Sequence, residues 1–288
     1  KYWMYPIAPW RSVRSAPAAA RTRCPPDSSI SIRPSPAGTS AAVVTGGGGG
    51  IGSAVCARFG EEGARVSVAD IDTAAAQAVV DRIAAAGGQA APMIVDLTDA
   101  AAVRAAVEKA TAEHGPIDVL VNNAGWDLFM PFLKSEPGYW SKIIDINLRS
   151  VLNITHAVLG GMVERGAGRV ISVASDAARV GSSGEAVYAA CKAGVIAFSK
   201  TLAREHARDG ITFNCVCPGP TDTAMLEGFL HAAGNRDKLR DAFARAVPMG
   251  RLGRPEDLPG AILFFASDDA GFITGQVISV SGGLTMHG

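Results

Sequence analysis

The sequence predicts an α/β protein with one doubly wound parallel sheet of about seven strands and helices on both faces. From Ser40 onward, short β-branched runs alternate with longer Ala-rich helical stretches, and this alternation is typical of parallel strands joined by helical crossovers. A run of glycines separates the first predicted strand from the first helix. The 288 residues are 48% hydrophobic and 19% charged, a balance that suits a globular α/β domain.

The individual elements follow in order along the chain. In the first half, strands are expected at 41–46, 64–70, 91–97 and 117–125, and helices at 52–63, 73–88 and 99–115. Asp99 is a suitable N-cap for the third helix and Gly115 a suitable C-cap. In the second half, helices are expected over much of 137–164, at 186–210 and at 255–268, and strands at 168–175, 211–219 and 275–283.

Two segments depart from this alternation. Residues 1–37 hold seven of the 16 prolines and five arginines, with Asp27 as their one acidic residue, and they show no sustained periodicity. We expect a disordered extension there and place the folded domain at 38–288. The second segment, at about 222–247, follows a predicted strand end, where a substrate lid is expected.

Composition and charge argue against several classes of partner. Lys plus Arg and Asp plus Glu both total 27, so the zero net charge gives no electrostatic case for nucleic acid. No run of 18 apolar residues is present, so we expect no transmembrane helix and no membrane partner. The five histidines form no metal-binding pattern, and we expect no metal. The cysteines have no CxxC spacing and predict buried free thiols in a cytoplasmic protein.

The tract VVTGGGGGIGSA joins the first strand to the first helix. Glycine lets the backbone turn sharply and approach a pyrophosphate, and the helix N-terminus supplies free N–H groups and a positive dipole end. Its position after a strand and before a helix favours a dinucleotide-binding loop over a flexible turn. The residues expected to contact the dinucleotide are Gly46, Gly49, Gly50, Ile51 and Gly52.

The second predicted strand ends in Asp70. An acid at this position can hydrogen-bond both ribose hydroxyls of adenosine, and its charge repels a 2′-phosphate. Gly49, just before Gly50, offers no cation to such a phosphate. Both features favour NAD(H) over NADP(H). Asp72 is a nearby alternative for the same role, although Asp70 is better placed at the strand end.

Tyr188 and Lys192 are four residues apart in a predicted helix, so they share one face of it. A phenol pKa of about 10 makes free tyrosine a poor base at neutral pH, and we expect the lysine ammonium to lower that pKa. The pair then suits proton exchange with a hydroxyl/carbonyl couple. Taken alone, this spacing occurs by chance on many helices, and the neighbouring motifs decide its meaning.

Several motifs occur in order: Thr45-Gly46, Gly50-Ile51-Gly52, Asn122-Asn123-Ala124-Gly125, Ser175, Tyr188-x-x-x-Lys192 and Pro218-Gly219. Together they resemble the short-chain dehydrogenase/reductase family, and the resemblance covers about residues 40–288. It implies a Rossmann-type sheet with strand order 3-2-1-4-5-6-7, a nicotinamide cofactor, and oxidation or reduction at a secondary alcohol or ketone. It also implies a homotetramer.

The resemblance further implies a role for each matching residue. Ser175 would hold the substrate oxygen, Tyr188 would exchange the proton, and Lys192 would hold the cofactor ribose and tune Tyr188. Asn147 would support a water that relays protons to Lys192. The implied cofactor contacts are Asp96 and Leu97 at the adenine, Asn123, Ala124 and Gly125 near the adenosine ribose, and Pro218, Gly219, Thr221 and Thr223 on the nicotinamide side.

The variable segments at 126–140, 175–192 and 222–258 bear on the substrate. They resemble the branch of the family that uses NAD to oxidise cyclic hydroxyacyl-CoA thioesters, such as 2-hydroxycyclohexanecarboxyl-CoA, in the degradation of aromatic and alicyclic acids. Two other enzyme classes stay open: a 3-oxoacyl-carrier-protein reductase, and a sugar or steroid alcohol dehydrogenase. An NAD-binding sensor without turnover is a further alternative, which the intact catalytic motifs disfavour.

Five cations in these segments are candidate contacts for the phosphates of CoA. They are Lys134, Arg179, Arg236, Lys238 and Arg240. The alternative for them is an ordinary solvated helix face. Five apolar side chains could line a wall for a substrate ring or simply pack as a loop: Trp126, Leu128, Phe129, Met130 and Phe132.

Overall fold

A computed structural model describes residues 40–232 and 235–286 of the chain. Within these residues, seven parallel strands form one sheet in the order β3-β2-β1-β4-β5-β6-β7. The strands are β1 (Ala41–Thr45), β2 (Arg65–Asp70), β3 (Gln89–Ile94), β4 (Ile117–Asn122), β5 (Gly168–Val173), β6 (Ile211–Pro218) and β7 (Val277–Val280). The predicted doubly wound sheet and its strand order are confirmed. The extension expected at 1–37 lies outside the described residues.

Helices cover both faces of this sheet. They are α1 (Gly50–Glu61), α2 (Thr73–Ala85), α3 (Ala100–His114), α4 (Pro137–Ile144), α5 (Ser150–Arg165), α6 (Ala177–Val180), α7 (Ala186–Glu205), α8 (Ala224–Ala232), α9 (Arg236–Ala246) and α10 (Pro259–Ala266). The expected caps of α3 are present. The Asp99 side chain accepts hydrogen bonds from Ala101 N and Ala102 N, and Gly115 follows with a φ of 81°.

Two apolar layers hold the helices against the sheet. On one face, α1, α2 and α10 pack around Val44, Val66 and Val121. On the other face, α3, α5 and α7 pack around Val43 and Leu120. The central strands β1 and β5 are buried at every residue. A strand covered on both faces is expected to read as an apolar run; β1, AAVVT, mostly does, whereas β5, GRVISV, also buries Arg169 and Ser172.

The second half of the chain differs from the expectation in three places. The long helix expected over 137–164 is interrupted at Asp145–Arg149, where a π-helical turn separates α4 from α5. The helix expected at 255–268 begins as a 3-10 turn at Pro255–Asp257 and becomes α10 only after Leu258. Within the expected lid, α8 and α9 form a helical pair.

In the part of the chain that the structure describes, α7 is long and apolar enough by composition alone to cross a membrane. Its buried side chains explain this composition without a membrane. Val195, Leu202 and Ala203 are buried, with Leu202 and Ala203 in the core layer beneath the sheet. The same helix buries Tyr188 and Lys192, so α7 packs as a core helix that also carries polar groups.

Candidate active site

A cleft of about 1520 Å³ opens along the carboxyl ends of the strands. The strand order reverses between β1 and β4, and ligands of doubly wound sheets bind at such a reversal. Of the residues expected to be catalytic or to bind the cofactor, all but Gly52 and Asn147 line this cleft. The lining set comprises Gly46, Gly49, Gly50, Ile51, Asp70, Asp96, Leu97, Asn123, Ala124, Gly125, Ser175, Tyr188, Lys192, Pro218, Gly219, Thr221 and Thr223.

The glycine-rich loop packs so closely that side chains would not fit. A Cβ on Gly52 would lie 2.0 Å from Gly46 O and 2.6 Å from Asn123 Nδ2. Gly46 has a φ of +63°, a conformation that favours glycine. In contrast, a Cβ on Gly49 would meet no atom within 4 Å. The first N–H groups of α1 have no partners within the helix, so the loop is shaped to receive phosphate oxygens.

Asp70 stands at the end of β2 and turns its carboxylate toward this loop. Asp70 Oδ2 accepts a hydrogen bond from Gly48 N at 2.9 Å, and Oδ1 accepts one from Asp72 N at 3.0 Å. The alternative acid, Asp72, is the N-cap of α2 and accepts hydrogen bonds from Ala74 N and Ala75 N. Asp72 is thus occupied with helix capping, while Asp70 lines the cleft.

The loops after β3 and β4 continue the cleft wall. Asp96 Oδ1 accepts hydrogen bonds from Thr98 N at 2.9 Å and Thr98 Oγ1 at 2.7 Å. Asn123 Nδ2 donates to Thr45 O at 3.0 Å and to Gly46 O at 3.2 Å. The β4 loop therefore braces the phosphate loop.

Ser175, Tyr188 and Lys192 meet where β5 ends and α7 begins. Lys192 Nζ donates to Val173 O at 2.9 Å and lies 5.7 Å from the centre of the Tyr188 ring. The Ser175 side chain is close enough to Tyr188 to lower the pKa of its phenol, and all three side chains line the cleft. The helical spacing thus brings phenol and ammonium to one face, as predicted.

Asn147 lies behind these residues in the π-helical turn, fully buried. Its Oδ1 accepts from Trp126 N at 3.2 Å, and its Nδ2 donates to Trp126 O at 2.7 Å and Ile143 O at 3.0 Å. A Cβ on Gly125 would fall 2.9 Å from Asn147 Oδ1 and 3.3 Å from Lys192 Nζ. Because Gly125 has no side chain, the space between the Asn147 amide and the Lys192 ammonium stays open.

Burial shifts the pKa values of both Tyr188 and Lys192 in the direction that favours the neutral side chain. It raises the pKa of Tyr188 above its ordinary value, the Glu185 carboxylate adds to this, and the hydrogen bond with Ser175 opposes it. The net shift of the Tyr188 pKa in the polypeptide itself is therefore upward, because desolvation is the largest effect. Burial also lowers the pKa of Lys192 to about 8.

The loop after β6 closes the other side of the cleft. Gly219 N donates to Val280 O, which ties this loop to β7. Thr221 Oγ1 donates to Gly219 O at 2.9 Å and Thr223 Oγ1 to Thr221 O at 3.3 Å. A Cβ on Gly50 would lie 3.1 Å from Thr223 Cγ2. The loop thus reaches from the β6 end back to the phosphate loop.

The structure corrects part of the expected CoA-phosphate set. Arg240 pairs with Asp222 and, at 2.5 Å, with Glu227 Oε1. Arg236 pairs with Glu227 Oε2 at 2.7 Å. Both arginines therefore hold α8, α9 and the preceding loop together, and their charges are neutralised by these carboxylates. Arg179 donates to Ser279 Oγ at 2.9 Å and faces β7.

Sequence reasoning missed several charged residues of the cleft, among them the carboxyl groups of Asp127 and Glu185. They are hydrogen-bonded to each other and line the cleft near Tyr188. Burial, together with the charge of Glu185, raises the pKa of Asp127 to about 7. No local sequence signal joins these two residues, because loop packing alone brings them together.

Comparisons with known proteins agree with this geometry. The family model described as enoyl-(acyl carrier protein) reductase matches residues 46–285. The chain is 38% identical over 245 residues to the 3-oxoacyl-(acyl-carrier-protein) reductase of Chlamydia muridarum, covering 85% of this chain and 96% of the relative. Identity, length and coverage are the same for a (2S)-[(R)-hydroxy(phenyl)methyl]succinyl-CoA dehydrogenase subunit of Thauera aromatica. A crystal structure of a variant actinorhodin polyketide ketoreductase with NADPH matches with a TM-score of 0.84 at 32% identity, covering 86% of this chain and 98% of that chain.

Proposed function

Because the chain belongs to the short-chain dehydrogenase/reductase family, we propose that it interconverts a secondary alcohol and a ketone on an acyl thioester, with NAD(H) as its cofactor. One observation carries the proposal: Ser175, Tyr188 and Lys192 share one end of a cleft whose other parts are a glycine-rich helix N-terminus and Asp70. This arrangement offers a dinucleotide site and a proton-exchanging phenol in one continuous space.

The chemistry divides between the cofactor and four side chains. When bound, nicotinamide would supply the hydride acceptor or donor, and its oxidised ring would add a positive charge that favours the phenolate. Tyr188 Oη takes the hydroxyl proton during oxidation and returns it during reduction. Ser175 Oγ holds the substrate oxygen. Lys192 supplies a charge near Tyr188 and is held in place because its Nζ donates a hydrogen bond to Val173 O. Asn147 lies behind these residues and helps to fix their position.

The preference for NAD(H) rests on Asp70. Its carboxylate lines the cleft at the end of β2, where it can accept hydrogen bonds from the adenosine ribose hydroxyls and repel a 2′-phosphate. The neighbouring Gly49 and Ile71 carry no charge that would attract such a phosphate. A site adapted to NADP(H) would place a cation there.

The thioester assignment rests on the relatives and on the cleft. The Chlamydia muridarum relative is named for an acyl-carrier-protein substrate and the Thauera aromatica relative for a CoA substrate. Trp126, Phe129 and Val180 line the cleft near Tyr188, which suits an apolar acyl group or ring. We propose a cyclic hydroxyacyl-CoA, such as 2-hydroxycyclohexanecarboxyl-CoA, as the substrate.

A second candidate is the reductive reaction of a 3-oxoacyl thioester. The raised pKa of Tyr188 favours it, because a phenol that stays protonated at neutral pH is ready to donate a proton to a ketone. The two candidates share the site and differ in direction and cofactor. Asp70 favours the NAD(H)-linked candidate.

A panel of substrates tests the proposal. The purified chain is assayed with NAD⁺ or NADP⁺ on 2-hydroxycyclohexanecarboxyl-CoA, 3-hydroxybutyryl-CoA, and free cyclic, sugar and steroid alcohols, following nicotinamide absorbance. The reverse assay uses acetoacetyl-CoA with NADH or NADPH. We expect a higher kcat/KM with NAD⁺ and with thioesters. Faster turnover of free alcohols would contradict the thioester assignment, and NAD binding without any turnover would support a sensor.

A further inference from the structure

The carboxyl groups of Asp127 and Glu185 form a pair in the wall of the proposed substrate cleft. Asp127 lies in the loop after β4, and Glu185 is the residue before α7, three positions before Tyr188. The two side chains share a hydrogen bond, and both contribute to the electrostatic environment of the Tyr188 phenol. The pair is therefore next to the group proposed to exchange the substrate proton.

Neighbouring contacts hold the pair in place. The Tyr139 hydroxyl contacts Asp127 Oδ1 at 3.0 Å and Leu128 O at 2.7 Å. Met130 N donates to Gly184 O at 2.9 Å, which ties the Asp127 loop to the Glu185 loop. The Phe129 ring covers Gly184 so closely that any Cβ there would overlap it. The carboxyl groups thus belong to two loops that are joined to each other.

The surrounding groups leave this wall negative. Burial and the charge of Glu185 raise the pKa of Asp127 to about 7, so Asp127 is partly protonated at neutral pH while the pair keeps about one negative charge. The facing phenols of Tyr139 and Tyr188 are neutral there, since burial raises both pKa values. Lys142 lies 3.9 Å above the Trp126 ring, and Lys192 Nζ donates to Val173 O, so neither ammonium forms an ion pair with the two carboxyl groups.

We propose that Asp127 and Glu185 are specificity determinants that reject free hydroxy and oxo acids and admit their neutral thioesters. The inference rests on the proposed function. In a β-hydroxyacyl substrate the acyl carbon is two bonds from the reacting carbon, so a free carboxylate would have to enter the same part of the cleft as this pair. A thioester has the same skeleton there without the charge, and like charges brought together lower binding strongly.

The test compares a thioester with its own acid. Oxidation by NAD⁺ is measured for the N-acetylcysteamine thioester of 2-hydroxycyclohexanecarboxylic acid and for the free acid, which share all ring atoms. We expect the wild-type ratio of kcat/KM, thioester over acid, to be at least about 100. A single amide substitution leaves the other carboxylate charged, so the negative charge is removed only in the double variant Asp127→Asn/Glu185→Gln, which should lower the ratio at least about tenfold. Asp269→Asn, an exposed site outside the cleft, is the matched control and should leave the ratio unchanged.

The outcomes separate this inference from the proposed function. If the double variant still oxidises the thioester at an unchanged ratio, or if the wild type oxidises the acid as well as the thioester, the inference is wrong and the proposed function stands. If the wild type oxidises neither but turns over another class of alcohol, the proposed function fails and the inference fails with it. The comparison of acid and thioester in the wild type keeps the test decisive should the double variant fold poorly.

Discussion

Burial biases the two central side chains of α7 toward their neutral forms. It raises the pKa of the Tyr188 phenol and lowers that of the Lys192 ammonium to about 8. A protonated phenol suits proton donation to a ketone, whereas oxidation requires the phenolate to be stabilised. Lys192, 5.7 Å from the phenol ring centre, is the nearby cation in a position to do this. Substitutions that alter the charge or burial of Tyr188 and Lys192 should therefore change the rate of oxidation relative to that of reduction.

Lys192 also predicts a pH dependence of stability. Its folded pKa, about 8, lies below its ordinary value of 10.5. Between these values the unfolded chain binds a proton that the folded chain does not, so this residue's penalty on folding is present below about pH 8 and is relieved as pH rises toward 10.5. Compared with Lys192→Met, the wild type should gain up to about 3 kcal/mol of unfolding free energy across this window.

Urea denaturation of both proteins at about pH 7 and about pH 9.5 measures this difference. Taking the difference cancels the titration of groups that do not interact with Lys192. If the difference in unfolding free energy between the wild type and Lys192→Met stays constant with pH, the buried ammonium carries no such penalty.

Asp70 predicts a change in cofactor preference. Asp70→Asn removes the charge that opposes a 2′-phosphate, so the ratio of kcat/KM for NAD⁺ over NADP⁺ should fall at least about tenfold. Asp72→Asn is the matched control, because asparagine also caps helices and Asp72 does not line the cleft. An unchanged ratio in Asp70→Asn would contradict the proposed NAD(H) preference.

At the scale of elements, the site is assembled from loops that follow the strands. The loops after β1, β4, β5 and β6 each contribute residues to the cleft, and the parallel sheet brings these strand ends to one edge. Side chains at strand ends and in the glycine-rich loop were predictable, since strand, loop and helix follow each other directly in sequence. The Asp127–Glu185 pair was not, because two loops distant in sequence pack through Phe129 and Gly184.

Other elements escaped sequence analysis for equally physical reasons. The π-helical turn at Asp145–Arg149 contains no proline or glycine to mark it. It nevertheless buries Asn147, whose amide is held by Trp126 and Ile143. The arginines of α9 had the pattern of a solvated charged helix, but Arg236 and Arg240 pair with carboxylates of α8 and the preceding loop. Such pairings depend on tertiary packing and leave no periodic signal.

The phosphate loop predicts a sharp contrast between two glycines. Gly52→Ala would put a Cβ 2.0 Å from Gly46 O, so the loop must shift and the free energy of unfolding should fall by about 2 kcal/mol or more. Gly49→Ala meets no atom within 4 Å and has a φ of −116°, so its loss should stay below about 1 kcal/mol. Chemical denaturation of both variants measures the contrast, and equal losses would contradict the packing described for this loop.

For the whole molecule, the described strands and every candidate site residue lie after Ser40. A shortened chain that starts near Pro36 should therefore keep its Tm and its kcat/KM. Thermal unfolding and the NAD⁺-linked assay, run beside the full chain, measure both quantities. A large loss of either would show that residues before Pro36 are required by the fold or by the site.

The central claim is that one cleft joins an NAD(H) site to a proton-exchanging phenol, Tyr188. Its most direct test is NADH formation from 2-hydroxycyclohexanecarboxyl-CoA by the wild type and by Tyr188→Phe, with NADH binding measured for both. We predict steady turnover by the wild type, and a fall in kcat of about 100-fold or more in the variant with NADH binding retained. A variant that binds NADH and turns over at the wild-type rate would contradict the assignment of Tyr188 and the account of the site built on it.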